Sequence, residues 1–374
     1  MAVVTHLFKT YFPDTQGGLE EAIRQIGKYA VSKGYDVRVV SISQYPNRQR
    51  LDGIECVSYS KTFGISTMPI SLNLWRDFKK IIAETDILQI HSPYPFAELL
   101  TLFNVVNKPC ILTFHAPIIG RDLCVKCYSP FYKSLLKKVD AIVPTSKNLA
   151  ESTLFFNGLG EKIYPINLWL DQSRFCNLQE VDNNFRMQVD SYGDFALFVG
   201  VLRSYKGLDV LLDAAKRVSK NIIIVGKGPR MSHLEKRIKN ESIKNVYLLG
   251  YQSDDNIGYL LKRCLFFVLP SNTRGECFGQ VLLEASYYHK AMISTELGTG
   301  TSFVNKDNYT GFVIPPNDEL LLAEKMNYMF DNMETCLLMG ENAYKRYETN
   351  FTEEIQGEKY ISLYEMLLRK YSLK

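Results

Sequence analysis

Short runs of apolar and β-branched residues recur along the chain, and each is followed by a polar or glycine-containing turn and a stretch with helical spacing. Continuous apolar runs of this length are typical of parallel strands that are buried on both faces. The predicted strands cover residues 37–43, 86–92, 109–115, 140–146, 195–201, 221–228, 245–251, 264–271 and 291–295. Helical segments between them, such as 207–218 and 229–239, give β–α–β units and predict an α/β protein with doubly wound sheets.

The predicted strands fall into two series, which indicates two domains. A chain of 374 residues is long for one domain and suits two. The polar, irregular stretch 171–194 separates the series, and we interpret it as the linker. Each series predicts a Rossmann-like domain, in which ligands bind outside the carboxyl ends of the strands, so two such domains facing each other would form a cleft. The last segment, 358–371, has apolar residues at helical spacing and predicts an amphipathic helix.

Composition and charge narrow the class of protein. Hydrophobic residues make up 46% and charged residues 22%, as in ordinary globular proteins. No apolar run approaches the roughly 18 residues of a membrane-spanning helix, and the first residues lack the features of a signal peptide. Eight cysteines in so long a chain do not suggest a disulfide framework, so we expect a cytoplasmic protein. Residues 1–175 carry a net charge of +5 and the remainder −1. This asymmetry favours contact between the N-terminal half and an anionic surface, with a merely solvated basic face as the alternative.

Two segments have glycines or cations where a phosphate could bind. Gly17 and Gly18 stand at a strand-to-helix turn, where the backbone can approach an anion, although a tight turn alone would explain them. Arg203 and Lys206 follow a predicted strand and suit a diphosphate, although solvated surface residues would look the same.

A glycine pair ends the predicted strand 221–228, but it does not complete a dinucleotide fingerprint. Gly226 and Gly228 match the first two positions of G-x-G-x-x-G, and Met231 occupies the third. An NAD-dependent enzyme is therefore not expected, and the two glycines are candidates for contact with a nucleoside.

Two glutamates eight positions apart, Glu276 and Glu284, flank the start of a predicted helix. The first precedes the helix, and the backbone N–H groups that follow it can bind phosphate oxygens. The second lies one turn further in and could accept hydrogen bonds from the hydroxyls of a ribose. Taken singly, Glu276 would be explained as an acid at a helix N-terminus and Glu284 as an ion-pair partner. The two acids together, at this spacing, indicate a ligand site more specifically than either acid does alone.

The motifs together resemble the retaining glycosyltransferases of family 4. The resemblance rests on E-x7-E after a strand ending in "PS", on K-G after "FVG" and on the N-terminal G-G, and it covers essentially the whole chain. It implies the GT-B fold, with an N-terminal acceptor-binding domain (1–172), a C-terminal nucleotide-sugar-binding domain (173–354), and a last helix (355–374) that packs back on the first domain. "KTYFPDTQGG" and "LRSYKGLDVLLDAA" look particularly like the bacterial O-antigen mannosyltransferases.

The resemblance also implies roles for the candidate residues. Glu276 would contact the donor sugar, with His115 beside it as the second catalytic residue, and Glu284 would bind the ribose, with Gly226 and Gly228 near the nucleoside. The donor diphosphate would be held by a larger set: Arg203, Lys206, Gly17, Gly18, Gly279, Gln280 and Val281. The acceptor hydroxyl would attack beside the leaving phosphate. No D-x-D or D-x-H triplet occurs, so we expect a metal-independent reaction without a cofactor.

The predicted reaction is transfer of mannose from GDP-mannose to a polyprenyl-diphosphate-linked oligosaccharide in O-antigen or related polysaccharide synthesis. A UDP-sugar or dTDP-rhamnose donor remains an alternative, as does a noncatalytic nucleotide-sugar-binding protein. A noncatalytic protein would have no need to keep all four charged candidates, which are Glu276, Glu284, Arg203 and Lys206. Nucleic acid is not an expected partner.

The segment 120–143 is a candidate for docking on the cytoplasmic face of the membrane, because cations alternate with apolar residues along a predicted helix. Its cations are Arg121, Lys126, Lys133, Lys137 and Lys138, and its apolar residues are Phe131, Tyr132, Leu135 and Leu136. The alternative is a helix whose apolar residues face the domain core.

Overall fold

The computed structural model divides the chain into two compact units, residues 1–168 with 353–374 and residues 169–352. It describes residues 1–15, 17–65, 68–117, 122–175 and 181–373, without the side chains of 122–125. The first unit therefore ends four residues before the expected boundary, and Trp169 begins the second. Among the described residues, no helix has an apolar stretch long enough to cross a bilayer.

The first unit is built on a seven-stranded sheet whose order is β3-β4-β2-β1-β7-β8-β9, parallel except for the edge strand β3. The strands are β1 (Val3–Leu7), β2 (Asp36–Ser43), β3 (Arg48–Leu51), β4 (Ile54–Ser60), β7 (Ile87–Ser92), β8 (Cys110–Phe114) and β9 (Ala141–Pro144), and the separate hairpin is β5 (Phe63–Ile65) with β6 (Met68–Ile70). The helices are α1 (Gly18–Ser32), α2 (Leu72–Ala83), α3 (Pro95–Phe103), α4 (Asp122–Lys138), α5 (Lys147–Glu151) and the C-terminal α14 (Glu353–Ser372). The strand order reverses between β1 and β7, which is where doubly wound sheets bind ligands.

Helix α14 belongs to the first unit because its apolar face is buried there. The four residues of the predicted stripe, Tyr360, Leu363, Tyr364 and Leu367, are all buried. Gly357 lets α14 approach α1 closely, since a Cβ at this position would lie 2.4 Å from the Tyr29 ring. The predicted amphipathic helix is therefore present.

The second unit repeats the plan with a six-stranded parallel sheet of order β12-β11-β10-β13-β14-β15. Its strands are β10 (Phe195–Val199), β11 (Asn221–Val225), β12 (Val246–Gly250), β13 (Phe266–Leu269), β14 (Ala291–Thr295) and β15 (Gly311–Ile314). Its helices are α6 (Asn183–Ser191), α7 (Leu208–Ala215), α8 (Met231–Asn240), α9 (Asp254–Arg263), α10 (Gln280–Tyr287), α11 (Thr301–Val304), α12 (Glu319–Asp331) and α13 (Met333–Asn350). Here the order reverses between β10 and β13, and this is the expected ligand-binding edge.

All nine predicted strands are present, with ends that differ by up to three residues. The linker prediction was wrong in part, because 171–194 contains α6, which Asp182 caps by accepting from the N–H groups of Asn184 and Phe185. The strand β1 was missed because Thr5 and His6 interrupt its apolar run, although both side chains are fully buried.

Candidate functional site

A buried ion pair joins two of the predicted site residues across the switch point of the second unit. Glu276 follows β13 and Lys206 follows β10, and each is about 7% exposed. Lys206 Nζ lies 2.5 Å from Glu276 Oε2, and the Ser271 hydroxyl donates to the same oxygen at 3.0 Å. The structure thus brings together a carboxylate and a cation that the sequence places 70 residues apart.

The ion pair keeps Lys206 charged. Burial, the strongest single influence, lowers the pKa of its ammonium, but the charge and hydrogen bond of Glu276, together with Tyr205 and Cys277, outweigh burial and leave this pKa above its ordinary value. Because the Glu276 carboxylate and the Lys206 ammonium have little contact with water, each depends on the other for compensation of its charge.

Gly207 fixes the position of the turn that carries Lys206. Gly207 ends the 3-10 turn Ser204–Lys206 with a left-handed φ of 68°, and a Cβ at this position would lie 1.9 Å from the carbonyl oxygen of Pro270. Gly200, directly after β10, would bring a Cβ to 3.7 Å from Lys206 Nζ. The close approach at Gly207 holds the turn against the end of β13 and so fixes where the ammonium lies.

Helix α10 begins four residues after Glu276. Gly279 precedes it with a φ of 74°, and with Gln280 and Val281 it forms the first turn, where backbone N–H groups precede the first intrahelical bonds. The Thr299 hydroxyl donates to the Glu276 carbonyl at 2.7 Å, which fixes the loop before the helix. The residues predicted to bind a diphosphate around this turn are therefore adjacent to the ion pair.

Glu284 lies on α10 and is also paired with a cation. Arg174 Nη1 donates to its Oε1 at 3.2 Å, and the same guanidinium binds Asp254 at 2.8 Å. Burial raises the pKa of Glu284, and Arg174 opposes that rise. The sequence analysis missed Arg174 because it lies in the segment interpreted as a linker, where only its charge distinguished it.

The remaining predicted residues of the second unit have different surroundings. Arg203 is exposed, one turn from the buried Lys206. A Cβ on Gly226 would lie 1.9 Å from the carbonyl oxygen of Gly200, and one on Gly228 would lie 2.5 Å from that of Leu202. The two glycines thus allow neighbouring loops to touch, and contact with a nucleoside stays a prediction for them.

In the first unit, Gly17 and Gly18 lie where the sequence predicted them, at the cap and first residue of α1. The carboxylate of Glu20, in the first turn of this helix, accepts from the hydroxyls of Thr10 and Thr15 at 3.1 and 2.8 Å. The two hydroxyls bind the loop after β1 to the helix start.

A cavity of about 480 Å³ lies at the carboxyl ends of β1 and β2. Its lining includes Thr10, Asp14, Ser43, Gln44 and Tyr45. These side chains offer hydroxyl, amide and carboxylate groups, which can bind the hydroxyls of a sugar.

His115 directly follows β8 and is 1% exposed. Its Nε2 lies 2.9 Å from Nδ1 of His91, and Nε2 of His91 lies 2.9 Å from Nδ1 of His6. The sequence analysis named only His115, because strand registers were needed to bring the other two beside it.

Helix α4 buries most of the apolar residues proposed for membrane docking. Tyr132, Leu135 and Leu136 lie in the domain core, and only Phe131 is exposed. The expectation of an apolar face beside the lysines was therefore wrong for three of the four residues. Lys133 and Lys137 are exposed, and Arg121 lies outside the described residues.

Lys138, the last residue of α4, has a structural role. Its ammonium donates to the carbonyl oxygens of Thr101, Leu102 and Asn104, at 2.7, 2.9 and 2.5 Å. These carbonyls lie at the end of α3, where a cation is favourable.

Among the described residues, no three His, Cys, Asp or Glu side chains are grouped as a metal ion would require.

Comparison with known proteins assigns a family to each half of the chain. Residues 16–174 match the model of Glycosyltransferase Family 4, and residues 183–346 match that of Glycosyl transferases group 1. The O-antigen chain mannosyltransferase C of Escherichia coli is 34% identical over 99% of this chain and 100% of its own. The D-rhamnosyltransferase WbpZ of Pseudomonas aeruginosa is 33% identical over 93% and 92%.

Solved structures agree on the architecture. The sucrose-phosphate synthase of Thermosynechococcus elongatus superposes with a TM-score of 0.80 at 16% identity, over 99% of this chain and 100% of that one. At this identity the likeness establishes the fold alone. The paired Rossmann-like units, the matching models and the full-length relatives confirm the predicted family and fold: this chain belongs to the family 4 glycosyltransferases and has the GT-B fold.

Proposed function

We propose that this glycosyltransferase moves mannose, with retention, from GDP-mannose to a lipid-linked oligosaccharide in the synthesis of O-antigen or a related polysaccharide. The observation that carries the proposal is the full-length similarity to the O-antigen chain mannosyltransferase C of Escherichia coli. The buried pair of Lys206 and Glu276 supports a catalytic rather than a purely binding role, because it places a cation and a carboxylate together at the ligand-binding edge.

The roles proposed for the site residues follow from the charges of their side chains. The Lys206 ammonium and the exposed Arg203 would stabilise the departing diphosphate, and Glu276 would orient the donor sugar. Glu284, held by Arg174, would accept hydrogen bonds from the ribose. As the bond between C1 and the diphosphate oxygen breaks, the acceptor oxygen bonds to C1 on the same face, and the acceptor proton passes to the leaving phosphate.

The first turn of α10 would add backbone donors to the diphosphate site. This turn begins at Gly279–Val281, and the same role for Gly17 and Gly18 at the start of α1 stays a prediction from the sequence. With donors and cations available, the proposal needs no metal ion. Transfer should therefore survive EDTA, and a strict requirement for Mg²⁺ or Mn²⁺ would contradict it.

The acceptor would bind the first domain. The cavity of about 480 Å³ has the hydroxyl and amide groups that an oligosaccharide needs. A lipid-linked acceptor implies contact with an anionic membrane surface, and Lys133 and Lys137 are exposed cations on this domain. Exchanging both for Gln should reduce sedimentation with anionic vesicles at low salt, and unchanged sedimentation would remove α4 from the docking surface.

A donor panel tests the reaction. Thermal shift and transfer should be compared for GDP-mannose, UDP-sugars and dTDP-rhamnose, and GDP-mannose should stabilise the protein most. A ligand at 100 times its Kd adds about 2.7 kcal/mol. The variant Glu276→Gln leaves the buried Lys206 without its partner and should be less stable than the parent, so it is assayed well below its Tm. There it should bind donor but lose most of its turnover, and near-normal transfer would contradict the catalytic assignment.

A nucleotide-linked D-rhamnose is the second candidate donor, because the D-rhamnosyltransferase of Pseudomonas aeruginosa is nearly as similar as the mannosyltransferase. D-Rhamnose is mannose without the hydroxyl at C6, so the two donors differ by one polar group. A higher kcat/KM for the rhamnosyl donor would replace mannose in the proposal while leaving the site residues unchanged.

A further inference from the structure

Three buried histidines form a continuous row across the first-domain sheet. His6 lies on β1, His91 on β7 and His115 directly after β8, and these strands are adjacent in the sheet. Consecutive rings lie edge to edge, with centroids 5.2 Å apart and interplanar angles of 25° and 26°. Each contact joins two ring nitrogens at 2.9 Å, so the row contains two nitrogen-to-nitrogen hydrogen bonds.

The rings are neutral at physiological pH. Burial lowers the pKa of His6 and of His115 to about 3, and it lowers the pKa of His91 well below its ordinary value, with the neighbouring rings adding to the effect. A neutral imidazole has one N–H and one bare nitrogen, so each ring is one donor and one acceptor.

Two neutral bonds in series leave only two proton arrangements. If His91 carries its proton on Nδ1, it donates to His115 Nε2 and must accept from His6 Nδ1. All three rings then carry the proton on Nδ1. If His91 carries it on Nε2, both bonds reverse and all three rings carry the proton on Nε2. The proton position on one ring therefore sets the other two.

The two ends of the row decide between these arrangements. His6 Nε2 and His115 Nδ1 are buried and have no hydrogen-bond partner within the described part of the chain. The His6 end lies within the central strand β1, whereas His115 directly follows β8, at the edge where doubly wound sheets bind ligands, and the next residues, Ala116 and Pro117, are half-buried. A buried N–H without a partner is rarer in proteins than a buried acceptor without one. The arrangement with a bare nitrogen at His6 and an N–H at His115 is therefore favoured.

We propose that His6 and His91 are positioning residues, which hold His115 as an Nδ1–H donor toward the carboxyl end of β8. The ligand class is an uncharged or anionic oxygen, such as a sugar hydroxyl or a phosphate, because an N–H on a neutral ring requires an acceptor. That the acceptor belongs to the donor sugar rests on the proposed function, while the proton arrangement stands on the geometry alone.

Nitrogen NMR of the full chain tests the arrangement directly. The chain has five histidines, so ¹⁵N-histidine labelling gives few signals, and the exposed His233 and His289 serve as internal references. Long-range ¹H–¹⁵N spectra at pH 7 should show His6, His91 and His115 in the Nδ1–H form. The Nε2–H form as the major species at any of the three, or a protonated ring, would overturn the proposal.

A matched pair of variants at His91 tests positioning. In His91→Asn the amide nitrogen takes the place of Nδ1 and can still donate to His115, whereas His91→Leu fills a similar volume without a donor. His115 should stay Nδ1–H in the Asn variant and lose that preference in the Leu variant. The expected kcat/KM is within threefold of the parent for Asn. For Leu it falls about tenfold, equivalent to about 1.4 kcal/mol.

The outcomes separate this proposal from the proposed function. If His91→Leu leaves His115 in the Nδ1–H form, His91 does not position it and the proposal fails, whatever the activity. If the parent shows the Nδ1–H pattern but transfers no mannose from GDP-mannose, the donor assignment fails and the imidazole row stands. The parent spectrum decides the arrangement even if the Leu variant does not fold.

Discussion

Replacing Lys206 with Met should destabilise the second domain strongly, although the change conserves most of the side-chain volume. The substitution removes the ammonium that lies 2.5 Å from Glu276 Oε2. Of the two contacts to this oxygen described above, only the hydrogen bond from the Ser271 hydroxyl is then left. Both members of the ion pair are about 7% exposed, so water cannot replace the lost cation.

The expected magnitude follows from that burial. Removing one partner of a buried ion pair costs about 3–5 kcal/mol, because the other charge stays uncompensated. For a domain of this size the loss corresponds to a fall in Tm of about 6–20 °C. Replacing Glu276 by Gln as well should recover most of the loss, since no uncompensated charge then remains. Lys216→Met is the control, because this lysine is 38% exposed and pairs at the surface, where water screens an ion pair and leaves it a much smaller contribution.

Tryptophan fluorescence can follow the second domain alone. The chain has two tryptophans, Trp75 in the first unit and the buried Trp169 in the second, so a Trp75→Phe background leaves Trp169 as the reporter. Urea unfolding gives the free energy of unfolding for the parent, for Lys206→Met, for Lys216→Met and for the double variant with Lys206→Met and Glu276→Gln. A Lys206→Met loss no larger than that of Lys216→Met would refute the reasoning, as would a double variant less stable than Lys206→Met.

The parent's pH dependence should agree with this result. The folded pKa of Lys206 lies above its ordinary value, so the contribution of its charge is fully present below about pH 10.5 and is lost as the pH rises through the folded value. The difference between the parent and Lys206→Met should therefore be constant from pH 7 to 9.

Three further outcomes are expected. Gly207→Ala should cost several kcal/mol in urea unfolding, because a Cβ would lie 1.9 Å from a backbone carbonyl oxygen. The control Gly250→Ala, with a similar φ of 67° and no neighbour within 4 Å, should cost only about 1–2 kcal/mol. Equal losses would contradict the packing argument. Arg174→Met should weaken GDP binding about tenfold by calorimetry, because the buried Glu284 loses a charged hydrogen-bond donor, and unchanged affinity would remove Glu284 from the nucleoside site. Lys138→Gln should destabilise the first domain by about 1–2 kcal/mol, because three carbonyls at a helix end lose their cation, and a loss that high salt abolishes would indicate a solvated lysine instead.

The fold was predictable where burial imposes a simple pattern. Central parallel strands are covered on both faces, so they read as uninterrupted apolar runs, and β10 and β14 were found on that basis. The strand β4 was missed because its polar residues alternate with apolar ones at one side of the sheet, as its half-buried pattern shows. Helix α6 was missed because only Val189 among its residues is buried, which leaves little apolar periodicity to detect.

Only those relations between site residues that lie within one sequence segment were predictable. The spacing of Glu276 and Glu284 places both near the start of one helix, and the sequence contains that spacing directly. The cations that pair with them lie 70 and 110 residues away. Lys206 was a candidate because of its place after a predicted strand, but its pairing with Glu276 was not predictable, and nothing local distinguishes Arg174 from other basic residues. The histidine row needed strand order as well, because His6 and His91 are 85 residues apart.

The pairing of Lys206 bears on how one residue could serve two partners. An ammonium has three N–H donors, and Glu276 takes one of them, so two remain for phosphate oxygens without loss of the ion pair. Gly200, whose Cβ would lie 3.7 Å from the ammonium, is next to it at the edge where ligands bind doubly wound sheets. A guanidinium is larger and directs its donors in one plane, so Lys206→Arg would have to displace the loop after β10 to keep the contact with Glu276. A compact, rotatable cation therefore suits this position, because it can neutralise the carboxylate before the donor binds and share its remaining donors with the diphosphate afterwards.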